Sequence, residues 1–571
     1  MKQVLKYILL FFFVTFNSCA QNTIFINNGN TDYTIYYVDS NDKNNAKIVQ
    51  KYIKDVSGAL LTLKQLPKAT VQKGLIIGKT DKVKIYLPVS NPIANTLYIK
   101  NHNRNIIITS TDDKGVTYAV YTFIEEVLGC RNFYEGGKFI PSKKIIEIPS
   151  NYSIVQTPAF DHRQYWYFGS FVPSQEYLDW HKLHNYHTDK EWGMYMVHNL
   201  DQLVPDNLIN SKPNFFSLTG QGRSINQLNF SDNNLQQFLI ERVADYFKKN
   251  PNEKVLALNP KDNEDYCLCE TCKKIYEKEG SKMGTLLIMV NKVALQFPNK
   301  QFVVQAFKSN RTPPKNIIPL KNVKIVVSDI EVTRLYDIRS SNNPRVKLFR
   351  QDLDNWLKKT DQVIVWDYIN WFENSFIPFP NFANMASNAK YFAEKRVKGV
   401  FWEGDGGLPS FQHKLRGYIA AKLLWNPKTN VEALTQEFLN YYYEGAAPIM
   451  RKYLDEMENA IKMSNIDIET GNSSFYDDAS KVYLSKKQIV NYYKLLNKAK
   501  ANVKTNQEII NRIELDEMGL LIYEIELEKR NKKIAKEKIE NLEKMFKKHN
   551  IEKYNYYLEY SNNYIKSLKS N

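Results

Sequence analysis

Between residues 160 and 404 the chain repeats one pattern eight times, and this repeat limits the fold more than any other feature. Short runs rich in β-branched and aromatic residues recur as FDHRQYWYF (160–168), KLHNYH (182–187), WGMYMVH (192–198), KVLALNP (254–260), QFVVQAF (301–307), VKIVVSDI (323–330), QVIVWDY (362–368) and KGVFWEG (398–404). Amphipathic segments lie between several of them. One covers 231–250, with Ser231 or Asp232 as N-cap and Leu235, Phe238, Leu239 and Val243 on one face; others cover 284–297, 346–359 and 381–395. Strand-like runs that alternate with helices predict an α/β fold with a parallel sheet, and eight of them predict a (β/α)8 barrel of TIM type over 158–428. An open doubly wound sheet is the alternative, but no Gly-rich phosphate turn follows any run.

The flanking segments read differently. Residues 23–150 carry short strand runs at 33–38, 74–78 and 105–110, with helical patterns at 44–58 and 115–130, and predict a small α/β domain. Residues 429–571 are rich in Lys, Glu, Tyr and Leu without a strict heptad, and predict a helical bundle that supports the barrel. The first 21 residues form an export signal: Lys2 and Lys6 precede the apolar run Tyr7–Phe16, which is too short to span a bilayer. Cys19 follows that run as the lipidated residue does in a bacterial lipobox, although Phe16 stands where Leu is usual. The expectation is a lipid-anchored protein of the bacterial outer membrane; cleavage near Ala20, releasing a soluble protein, is the alternative. The chain carries a formal charge of +17 and 37 tyrosines. Its lysines are dispersed and thickest in the helical third, so a solvated basic surface is expected and no nucleic-acid partner.

In a barrel of this type the C-terminal strand ends build the site. The first run contains Arg163. The third ends in His198 and Asn199, and the fourth in Asp262, Asn263 and Glu264. The sixth ends in Asp329 and Glu331, the seventh in Trp366, Asp367 and Tyr368, and the eighth in Trp402 and Glu403. Carboxylates beside aromatic rings suit glycoside hydrolysis, which needs a proton donor, a second carboxyl group and apolar platforms for sugar rings. Capping of the following helices is the alternative for any single acid. The cysteines of CLCETC, Cys267, Cys269 and Cys272, offer three ligands where a closed zinc site needs four. In an oxidising compartment a disulfide joining Cys272 to Cys267 or Cys269 is expected, with zinc or free thiols as alternatives, and no metal or cofactor is expected for catalysis.

The runs FFSLTGQGRSINQLNFSDNNLQQFLIERVADYF, LALNPKDNEDYCLCETC, VVSDIE, VIVWDYINWF, GVFWEGD and LRGYIAAKLLWNP resemble a bacterial group catalogued as a domain of unknown function (4838). Part of that group is placed in glycoside hydrolase family 163, the endo-β-N-acetylglucosaminidases acting on N-glycans. DDKGVTYAVYTFIEEVLGCRNF is similar to the domain preceding the barrel in family 20 hexosaminidases and in α-glucuronidases. The resemblance implies a glycan substrate and a retaining mechanism assisted by the substrate's acetamido group. It further implies that Asp262 orients that group, that Glu331 or Glu264 is the acid, and that Arg163 holds sugar hydroxyls. Tyr368, Trp402 and Glu403 would line the sugar pocket, with His198, Asn199, Asn263, Trp366 and Asp367 around it. Asn263 stands where an Asp-Glu pair would place its Glu. An α-glucuronidase-like enzyme reading a uronate through Arg163, Arg311 or Arg334, or a non-catalytic glycan-binding lipoprotein, is the alternative.

Overall fold

The first strand of the repeat is hydrogen-bonded to the last. In the computed structural model, His162–Trp166 pairs in parallel with Gly399–Glu403, placing Trp166 opposite Glu403. From that eighth strand the sheet continues in parallel through the seventh (Val363–Tyr368), sixth (Val323–Ser328), fifth (Gln301–Ala306) and fourth (Val255–Ala257). A parallel sheet whose first and eighth strands meet is curled into a barrel, the fold expected from the repeat. The structure describes residues 22–90, 92–166, 173–185, 197–332, 334–371, 374–404, 410–464, 466, 468, 475–531, 534–555 and 559–570. The third expected strand falls largely outside this set; of the second, residues 182–185 are described and do not form a strand, a correction to the expectation.

Each strand has two faces, and side-chain contacts tell them apart. Val255, Ala257, Val303, Val326, Ile364, Trp366, Tyr368 and Phe401 form one buried cluster, the barrel interior. Leu256, Val304, Ile325, Val327, Val365, Val400 and Trp402 belong to the larger cluster that packs the sheet against its helices. Both faces are apolar, as a sheet buried on both sides requires. The helix expected at 231–250 spans Asn233–Lys249, and Asp232 is its N-cap, accepting a hydrogen bond from the Leu235 amide at 2.8 Å. A hairpin that the strand pattern missed, Phe216–Thr219 with Gly222–Leu228, lies in the connection before this helix.

The described residues divide into two compact units. The first, the described residues from 22 to 131 with 140–157, holds a six-stranded mixed sheet that includes Thr34–Tyr37, Gly74–Lys79 and Asn105–Ser110. Its helices are Ser40–Ser57, Thr80–Val83 and Asp113–Glu126. The second unit, 132–139 with 158–571, contains both the barrel and the C-terminal helices, which share one core. The segment from 509 to 549, readable as two helices or one broken one, is two: Gln507–Arg530 and Lys536–Lys548. Among the described residues no helix is long and apolar enough to cross a membrane.

Candidate active site at the barrel mouth

Strand parity decides which strand-end residues face the interior. Trp366 and Tyr368 point inward, and Trp366 donates its indole N–H to Glu403 Oε2 at 2.7 Å, so Glu403 also lies on the inner face. Glu403 is buried at 4% exposure. The Tyr368 ring lies 27° from the plane of Trp366 with centroids 6.4 Å apart, and its hydroxyl is hydrogen-bonded to Ser328 of the sixth strand. Burial, reinforced by the Glu403 charge, pushes the Tyr368 phenol well above its ordinary range, so it stays protonated. The Arg334 guanidinium lies 4.9 Å from the centre of the same ring. Strands six, seven and eight thus bring one carboxylate, two aromatic faces and a cation together.

Asp367 and Trp402 were expected in this pocket, but they point the other way, sharing the outer face with Val365 and Val400. There Trp402 Nε1 donates to Asp367 Oδ2 at 2.8 Å, and the buried Asp329, just after the sixth strand, feels the Asp367 charge. Burial is the largest cause raising both acids, and the neighbouring carboxylate lifts Asp329 further. Asp367 also receives the Tyr368 amide, which offsets part of its rise. The Trp402–Asp367 hydrogen bond ties the seventh and eighth strands together behind the site.

The rim beside strands four to six is organised by the turn that follows strand five. Lys308 reaches Asp262 at 3.1 Å, and Arg311 forms an ion pair with Glu331. Arg311 is itself anchored to buried Asp352 at 2.9 Å, and its carbonyl accepts from Trp356 Nε1. One short turn therefore holds two of the three expected catalytic carboxylates, Asp262 and Glu331. Lys308 was not anticipated, because the end of the fifth run carries no acid to draw attention to it. Asn263 donates to the Asn226 carbonyl at 2.7 Å, and Glu264 is exposed. His198 donates from Nδ1 to the Pro260 carbonyl at 2.8 Å, and Asn199 bridges the Ala257 carbonyl and the Asn259 amide. Asn263, His198 and Asn199 thus support the fourth-strand loop.

Two further expectations are corrected. Arg163 shares its strand face with outward-facing Tyr165. Its guanidinium donates to the Lys182 and Phe160 carbonyls and lies 5.1 Å from the Trp425 ring, so it pins the chain behind the barrel and does not reach the sugar site. Cys267, Cys269 and Cys272 are free thiols, and the expected disulfide is not formed. Cys19 lies outside the described residues.

Over residues 134–455 the sequence matches the family described as a domain of unknown function, DUF4838. The chain belongs to that family. No curated protein matches the sequence. Among solved structures this DUF4838 protein is similar to a family GH115 4-O-methyl-α-glucuronidase, BtGH115A, described as having specificity for decorated arabinogalactans. The TM-score is 0.55 at 11% identity, over 92% of this chain and 77% of that one. CpGH84B is also similar, with a TM-score of 0.45 at 10% identity, over 96% of this chain and 98% of that one. At such identity the likeness to BtGH115A speaks for the fold.

Proposed function

We propose that the protein is a glycoside hydrolase that cleaves a β-linked N-acetylglucosamine within a glycan, with retention and with help from the substrate's acetamido group. The observation that carries this reading is the barrel mouth itself. Glu403 is buried against Trp366 and Tyr368 on the inner face, while Asp262 stands at the strand-four rim, on the far side of the sheet order. The aromatic rings offer a platform for a sugar. Asp262, paired with Lys308 and largely exposed, is suited to accept the acetamido N–H and orient its oxygen toward the anomeric carbon. A general acid must keep its proton at neutral pH, which burial favours, and Glu403 is the buried carboxyl on the inner face. Glu331 lies against a guanidinium and Glu264 lies in solvent, so proton donation to the leaving oxygen is assigned to Glu403. The sequence also supports export with a lipid anchor at Cys19; Cys19→Ala should abolish radiolabelled-palmitate incorporation.

The acid assignment has a direct test. Glu403→Gln should slow cleavage of a natural glycan on the order of 10²- to 10⁴-fold. It should recover most of its rate on an aryl glycoside whose leaving group needs no proton. Asp262→Asn should be slow on both substrates. If Glu331→Gln shows the leaving-group rescue instead, the donor is Glu331.

A second reading is favoured by the cations around the mouth. Lys308, Arg311 and Arg334 are the complement expected for a uronic acid carboxylate. Incubation with a panel of released glycans separates the readings by product mass. A cut within the chitobiose core supports the first, and loss of a terminal uronic acid supports the second. Retention without products means a glycan-binding protein.

A further inference from the structure

The thiols of Cys267, Cys269 and Cys272 all lie within 4.8 Å of one another, and Cys267 and Cys272 are buried. A disulfide pairs two sulfurs and leaves the third aside, whereas these three converge on one point. Thiolates sharing a tetrahedral ion through bonds of about 2.3 Å sit about 3.8 Å apart, a spacing within that limit. The surroundings suit a metal centre. The Leu218 amide donates to the Cys267 sulfur at 3.3 Å, the outer-shell contact that orients a thiolate ligand. Cys269 is the N-cap of the ten-residue helix Glu270–Glu279, whose partial positive end favours anionic sulfur. Oxygen atoms stand beside the sulfurs as well: Cys272 Sγ is 3.3 Å from Asn229 Oδ1 and 3.1 Å from Ser231 Oγ, and Cys269 Sγ is 3.7 Å from each.

We propose that Cys267, Cys269 and Cys272 bind one zinc ion as a three-thiolate site, with an oxygen ligand on the side of Asn229 and Ser231. On binding, the three thiols release three protons to solvent and the ion keeps its charge, so no oxidant or reductant is involved. The site is structural. It joins the strand-four loop to the hairpin at Leu218 and to the residues that open the Asn233–Lys249 helix, so it braces the segment that carries Asp262.

The test uses the full-length protein, purified with and without added Zn2+, and needs no activity measurement. The expected result is one zinc per chain by elemental analysis after exhaustive dialysis. The intact mass of the demetallated chain should correspond to fully reduced cysteines, and Co2+ substitution should give thiolate-to-metal absorption. Cys267→Ser and Cys272→Ser should lose the metal, and chelation of the wild-type protein should lower its thermal midpoint, so the outcome holds even if a variant folds poorly. Failure to retain zinc, or an intact mass two hydrogens lower with a mapped disulfide among the three, overturns the proposal.

Discussion

Asp516 sits fully inside the helical region, accepting hydrogen bonds from Gln412 Nε2 at 2.9 and 3.0 Å and from the Tyr443 hydroxyl at 3.1 Å. Burial is the main cause that pushes its carboxyl up to about 7 from 3.8, and the two donors lower it only in part. The sign follows from comparing folded and unfolded chains. Between pH of about 4 and about 7 the folded chain keeps a proton that the unfolded chain has lost. This contribution is therefore complete below about pH 4, is lost as pH rises through about 7, and is flat beyond. Asp516→Asn cannot ionise and should weaken the fall in thermal midpoint across that window. Scanning calorimetry of both proteins at pH 5 and pH 8 checks it; equal pH slopes would show that Asp516 does not titrate there.

At the scale of elements, the loop after strand seven depends on a single guanidinium. Arg416, on the His413–Trp425 helix, is fully buried and donates to the carbonyls of Ile369 at 2.8 Å and Phe379 at 2.9 Å, and to the side chain of Asn381. Lysine cannot span these acceptors with one ammonium group, so Arg416→Lys should cost on the order of 2–4 kcal/mol. Urea denaturation should show a lower midpoint; an unchanged midpoint would refute the role. Such anchors, and much of the site, were hard to read in the sequence. The eight runs were plain because β-branched clusters alternate with helices, and this was enough for the barrel. Facing was not legible, because VIVWDY and GVFWE are apolar on both sides and give no period of two. Asp367 and Glu403 therefore looked equivalent, although one faces the helices and the other the mouth. Arg163 was misplaced for the same reason, since HRQYW has no apolar face to mark the inside. The Asp232 cap and the Leu235, Leu239 and Val243 stripe were legible because helical periodicity carries its own direction.

Across the whole second unit, the C-terminal helices do more than enclose a core. Gly519, on the Gln507–Arg530 helix, lies so close to the strand-seven loop that a Cβ there would stand 2.2 Å from the Phe376 carbonyl oxygen. Tyr483 donates to the Pro378 carbonyl at 2.8 Å, and Trp371 stacks on Phe475 at 3.9 Å. Gly519→Ala should force helix and loop apart at a cost of about 1–3 kcal/mol, read as a lower thermal midpoint. A chain ending near residue 464 would leave Trp371 and Phe376 without cover, and its soluble yield should collapse; a well-folded product of that length would show that the helices are dispensable.

The pairing of His162–Trp166 with Gly399–Glu403 also has a consequence in time. Synthesis runs from the N-terminus, so the first strand exists long before its partner and must wait with one hydrogen-bonding edge open. Joining two segments so distant in sequence makes barrel closure a slow step of high entropic cost. Glu403 is the last residue of the closing strand. The pocket it completes therefore forms only when the ring shuts, so a half-made chain offers a sticky sheet edge but no working site.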